Sequence, residues 1–233
     1  MILSAHQSHY LPWLGYFDKI AQSDQFVVLD CVQYKKREFQ NRNKIRTPLG
    51  EQWLTVPVVS KGHYDQRLKD VLIDNEIGWA KDHWHAVQTN YAKAPCFKAY
   101  SGFFEETYAR PWRYLVDLNL HLIRFFLEQF GIQAPLFLES EIGTQTQATD
   151  RLIELATQCK ANVYLSGIGG KEYLEEEKFR TAGMILRYQD FSHPVYPQRF
   201  MKGPEDFIPN LSAIDLLLNL GKDAKPFFVR REK

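Results

Sequence analysis

The sequence predicts an α/β fold: a doubly wound, mostly parallel, Rossmann-like sheet with an inserted β-hairpin and helical segment at about residues 40–130. Three observations predict it. Short apolar runs alternate with stretches of helical spacing at both ends of the chain. The middle instead carries two alternating segments joined by Thr47-Pro48-Leu49-Gly50, followed by long aromatic-rich helical stretches. No Pro-, Gly- or Ser-rich linker divides the chain, which points to one domain over residues 1–233.

In order, Ile2 to Ala5 reads as a buried strand. Leu14 to Gln22 places Leu14, Phe17, Ile20 and Ala21 on one helical face, and Gln25 to Leu29 is a second strand ending at Asp30. Strand, loop, helix and strand within thirty residues predict parallel pairing through a right-handed crossover. Asn41 to Arg46 and Gln52 to Val58 form the hairpin, and Val71-Leu72-Ile73 a further short strand. Helices follow over Trp79 to Tyr91 and Phe97 to Tyr108, then a third with Pro111 at its first position, running to Phe130 with Gly131 as cap. The βα rhythm resumes with strands at Leu136 to Glu139, Asn162 to Leu165 and Met184 to Tyr188. Helices separate them at Gln147 to Cys159 and Lys171 to Ala182, and Ser212 to Leu220 closes the chain.

Composition narrows the function classes. Hydrophobic residues at 45% and charged residues at 24% describe a globular chain with a core, not a disordered one. A balance of 29 basic and 28 acidic residues gives no global field for nucleic acid. The local run Lys35-Lys36-Arg37, continuing through Arg42, Lys44 and Arg46, lacks the regularly interleaved aromatics of a nucleic-acid surface, and Lys35, Lys36 and Arg37 read as a solvated loop. Cys31, Cys96 and Cys159 stand too far apart for a Cys-rich zinc site, and His83 and His85 face different ways on a helix, so no metal is expected. No apolar run approaches the ~20 residues of a membrane span. Met1 to Ala5 is too short for a signal-peptide core, so a cytoplasmic address is expected.

Open parallel sheets bind ligands beyond the carboxyl ends of their strands. Three polar clusters follow such ends. His6-Gln7-Ser8-His9-Tyr10 leaves the first strand, and its imidazoles suit phosphate contact or acid–base work near neutral pH. Asp30, Gln33 and Tyr34, with Asn41-Arg42-Asn43, set amides beside a guanidinium, a pattern suited to a carboxylate, phosphate or sugar. Ser166-Gly167-Ile168-Gly169-Gly170-Lys171 lies between a strand and a helix, where glycines permit close approach and free N–H groups favour an anion. His193 follows the last strand to the same rim, and Lys61 sits in a loop placed to close on a ligand. His6 and His193 are the acid–base candidates; the other named residues are candidates for binding substrate or donor.

These residues carry a resemblance. His6-Gln7 with Tyr10-Leu11-Pro12-Trp13-Leu14-Gly15-Tyr16-Phe17, Val32-Gln33-Tyr34, and Asn41-Arg42-Asn43-Lys44-Ile45 resemble the WbqC-like family. Tyr164-Leu165-Ser166-Gly167, His193-Pro194-Val195-Tyr196-Pro197-Gln198 and Pro209-Asn210-Leu211-Ser212 continue the likeness over nearly the whole chain. Ser8-His9 and Cys31 depart from it, standing where Pro-Asn and an acidic residue are more common in the family. The resemblance implies a product of a bacterial surface-polysaccharide (O-antigen) cluster, with acyl or aminoacyl transfer to an amino sugar as the expected reaction. The first strand, loop and helix are also similar to the start of class I nucleotidyltransferases and pantothenate synthetases, whose His-x-Gly-His binds ATP phosphates. His6 and His9 keep that spacing without the glycine. A transferase or ligase with a nucleotide or CoA-type donor is therefore expected. The alternative is a non-catalytic sugar- or nucleotide-binding protein partnering a biosynthetic enzyme. The helices between Trp79 and Phe130 offer a face for a homodimer.

Overall fold

A computed structural model describes residues 1–230. Five strands, β1 (Ile2–His6), β2 (Gln25–Val28), β5 (Leu136–Leu138), β6 (Val163–Ser166) and β7 (Ile185–Tyr188), form one sheet in the order β5-β2-β1-β6-β7. Every pairing in it is parallel. Between β2 and β5 the chain inserts an antiparallel hairpin, β3 (Arg42–Thr47) and β4 (Gly50–Thr55), and the helices α2 (Trp79–Tyr91), α3 (Phe97–Ala109) and α4 (Leu115–Phe130).

The two-residue period of a strand sorts side chains onto two cores. Leu3, Ala5 and Val27 face a smaller cluster made by α6 (Ala148–Gln158) and α7 (Glu176–Thr181), with Leu155 and Phe179 at its centre. Phe26 and Val28 face the larger cluster, which gathers α1 (Leu14–Ala21), α2, α3, α4 and α8 (Ala213–Leu220). Helices thus cover both faces, as a doubly wound sheet requires. A short helix α5 (Glu139–Ile142) follows β5 directly. Among the described residues no helix is long and apolar enough to cross a membrane.

Three elements differ from the sequence reading. The helix expected to start at Pro111 starts at Leu115. Residues 110–114 are extended instead, because Tyr114 bridges Leu72 and the buried Trp112 donates its indole N–H to the Thr107 carbonyl at 2.8 Å. Leu72 and Ile73 make only isolated bridges, to Tyr114 and Val58, so no strand forms there. The helix expected over Lys171 to Ala182 is broken: a 3₁₀ turn covers Ile168–Glu172, and α7 begins at Glu176. Leu174 and Phe179 both point into the smaller core. Five residues apart on a continuous α-helix, they would diverge by about 140°.

The strand order matters most for function. From β1 the chain winds outward through β2 to β5, then returns past β1 to β6 and winds out the other way to β7. The loop after β1 leads to α1 on one face, and the loop after β6 leads to α7 on the other. A crevice is left between those loops, at the carboxyl rim of the sheet. Phe17 of α1 is fully buried over this half of the core, with its ring 5.4 Å from that of Phe126 and 5.5 Å from that of Phe130. Phe17→Ala is expected to lower the free energy of unfolding by ~3–5 kcal/mol in urea melts, and a change under ~1 kcal/mol would contradict this packing.

Candidate functional site

A cleft of about 320 Å³ opens at that reversal point. The end of β1, the loop after it and α1 supply His6, Trp13, Tyr16 and Lys19. The turn after β6 supplies Gly167, Ile168 and Gly169, and the segment after β7 supplies Gln189, Asp190 and Phe191. Three loops distant in sequence meet here because their strands are neighbours in the sheet.

His6 shares its parity on β1 with Ser4, so it points toward α1 rather than α6. Its Nδ1 lies 3.2 Å from the Gln7 carbonyl. A carbonyl only accepts, so Nδ1 holds the proton and Nε2 is the basic nitrogen. Burial, then the nearby Lys19 and His9, hold the His6 pKa well below its ordinary value, and the ring is neutral at pH 7. His9 stands edge-on to it with ring centroids 4.7 Å apart; burial, aided by Lys19, pulls His9 down to about 3. Lys19 is only 3% exposed and donates Nζ to the Ala5 carbonyl at 3.1 Å. Burial lowers its amine to about 7.

Glycines shape the walls in two ways. A Cβ on Gly15 would lie 2.2 Å from the Trp13 ring, so only glycine lets the indole fold onto the first turn of α1. There Trp13 meets Phe191 edge-on at 5.4 Å. A Cβ on Gly170 would lie 2.0 Å from Ser166 Oγ, which donates to the Gly167 carbonyl at 3.0 Å; Ser166 and Gly170 set the turn. At Gly167 and Gly169 a Cβ would meet nothing within 4 Å, so their backbones stay open to the cleft. Gln189 Nε2 donates to the Gly15 carbonyl at 2.8 Å and to Asp18 Oδ2 at 2.7 Å, fastening the segment after β7 to α1.

Of the residues singled out in the sequence, the cleft brings together His6, Gly167 and Gly169. Gln7 gives its carbonyl to His6. Tyr10 is buried away from the cleft, its hydroxyl 2.9 Å from His83 Nδ1 and 2.6 Å from the Tyr108 hydroxyl. Asn41 and Asn43 donate to the carbonyls of Val56 at 2.8 Å and Leu11 at 2.6 Å. Gln33 reaches the Tyr64 carbonyl and Asp65. Tyr34, Asn41 and Arg42 line a separate hollow of about 220 Å³ on the hairpin side. Lys61 is exposed in its loop, and Lys171 lies outside the cleft with Nζ 5.2 Å from the Tyr188 ring centroid. Lys171 also does not open an α-helix. His193 binds the Pro194 carbonyl through Nδ1 at 2.9 Å and packs beside Phe191, so it stands behind the cleft wall.

Asp30, Cys31 and Glu139 have ligand atoms mutually within 4.8 Å. The Asp30 oxygens accept from the Ser140 amide and hydroxyl, while Glu139 takes the Cys31 amide, Thr144 and Arg151. The group is a clasp joining the ends of β2 and β5. Lys19 escaped the sequence reading because Asp18-Lys19 looks like the solvent side of an amphipathic helix. In fact seven of the eight residues of α1 are buried.

Two outcomes follow from these placements. In the fold Lys19 titrates near 7, against an ordinary value of 10.5. Between those values the unfolded chain holds more protons, so stability rises with pH by up to ~1.4 kcal/mol per unit. Lys19→Met removes that rise. Denaturant melts at about pH 7 and about pH 9 should show the native chain gaining ~2 kcal/mol relative to the variant, and equal slopes would refute the lowered proton affinity of the buried amine. Asn43→Ala strands a buried carbonyl and amide and should cost ~1–3 kcal/mol in the same melts, without altering ligand affinity of the folded protein.

The profile of the WbqC-like protein family matches residues 7–226. The uncharacterized protein Rv1507c of Mycobacterium tuberculosis is 34% identical over 222 residues, which cover 95% of this chain and 94% of that protein. No solved structure matches. The match spans the cleft loops, the inserted hairpin and α8 alike, and the chain belongs to the WbqC-like protein family.

Proposed function

We propose that this chain is a transferase or ligase of surface-polysaccharide (O-antigen) sugar modification. It moves an acyl or aminoacyl group onto an amino sugar from a nucleotide-type or CoA-type donor held between β1 and β6. One observation carries the reading: a neutral imidazole, His6, lines a cleft at the point where the strand order reverses, between two aromatic side chains and two bare glycines.

In this reaction the acceptor amine attacks the acyl carbon. A C–N bond forms, and the bond from that carbon to the donor oxygen or sulfur breaks. His6 Nε2 takes the proton from the amine and returns it to the leaving group, so the imidazole ends as it began. The open backbone at Gly167 and Gly169 admits the donor, and Trp13 and Phe191 keep water from it. His193 acts by supporting Phe191.

A second reading is a non-catalytic sugar- or nucleotide-binding protein. It is favoured by the partner of His6 Nδ1, which is the carbonyl of its own neighbour and not a carboxylate that would stabilise an imidazolium. Incubation with amino sugars and activated donors, read by mass spectrometry, separates the two, because a binding protein yields no new amide. For the native chain the expected result is an N-acylated sugar. His6→Ala should slow its formation by ~100-fold or more. Unchanged turnover and donor affinity in that variant would remove His6 from the mechanism.

A further inference from the structure

We propose that the cleft holds a compact anionic group of its ligand, a phosphate or a carboxylate, between Lys19 Nζ and the Tyr16 hydroxyl. The inference rests on the reading of the cleft as the ligand site and names the chemistry it accepts.

Tyr16 and Lys19 lie three residues apart on α1, so they share a helix face, and both line the cleft. Both are buried, Tyr16 at 2% and Lys19 at 3% exposure. The Tyr16 hydroxyl has no hydrogen-bond partner among the described residues. Buried hydroxyls are nearly always bonded, so this one is left for a group that the described residues do not supply. Lys19 carries three donors as an ammonium and directs one of them at the Ala5 carbonyl.

Among the described residues no carboxylate competes for that ammonium, and none of them lies within 4.0 Å of it. On its own helix, the Asp18 carboxylate receives the amides of Gln189 and Gln22. Asp190, from the segment after β7, is exposed at the mouth. From β1 and its loop the facing groups are His6 and His9, which offer no negative charge. A buried cation without a counter-charge is costly, and an arriving anion relieves that cost in surroundings of low polarity set by Trp13 and Phe191. The same anion accepts from Tyr16, so one group satisfies both side chains.

The test is calorimetric titration of the full chain with inorganic phosphate and, separately, with acetate, near neutral pH. At least one should bind saturably. Lys19→Met should weaken it ~10-fold or more, the loss of one charge-assisted hydrogen bond, and Tyr16→Phe by ~5-fold. Binding of phosphate alone assigns a phosphoryl group, and binding of acetate alone a carboxylate. Circular dichroism confirms that each variant is folded, and Tyr16→Phe, which removes one oxygen, serves as the milder check. Equal binding by the native chain and both variants, or binding of neither anion, overturns the proposal. Failure of the transferase reading looks different: Lys19-dependent anion binding persists, and no acylated sugar forms.

Discussion

β1 is hydrogen-bonded along both edges, to β2 on one side and β6 on the other, and the rest of the structure depends on that double pairing. A strand so placed cannot slip by one residue. A slip would turn Leu3 and Ala5 out of one core and Ser4 and His6 into it. Because both neighbours run parallel to β1, their carboxyl ends share one rim. Because the chain reaches them from opposite directions, their loops part. The cleft is therefore a consequence of topology first and of side chains second.

The inserted hairpin and helices are fixed to this frame through buried polar groups. Asn43 holds the Leu11 carbonyl, and Asn119 of α4 reaches Ser8 Oγ at 3.2 Å and the Gln40 carbonyl at 2.8 Å. The Ser212 amide donates to the Lys44 carbonyl and the Ala213 amide to that of Pro12. Deeper still, Asp215 accepts from the Tyr91 and Tyr196 hydroxyls at 2.8 and 2.9 Å. Each bond crosses between elements far apart in sequence. Together they fasten the inserted hairpin and helices to the loop after β1 and to α8.

The sheet, the hairpin and His6 with Gly167 and Gly169 were legible in the sequence, because a strand's apolar run and the polar residues that end it are local signals. Asn41 and Asn43 were harder. An amide that serves a backbone carbonyl and an amide that serves a ligand look the same in a sequence. Pro111 misled for a related reason, since its fixed φ suits both a helix start and an extended segment. Lys19 lay beyond reach: only the tertiary burial of both sides of α1 turns an ordinary surface-type residue into an enclosed amine.

Gln189 has a mechanical consequence. Both protons of its amide are engaged on α1, at the Gly15 carbonyl and at Asp18, so the wall carrying Phe191 is tied to the wall carrying Trp13. These two sides move as one piece. The turn through Gly167 and Gly169 has room around it, and Ile168 at its tip is 62% exposed. The space for a wider cleft thus lies on the side of the glycine turn, opposite the aromatic jamb that Gln189 ties to α1.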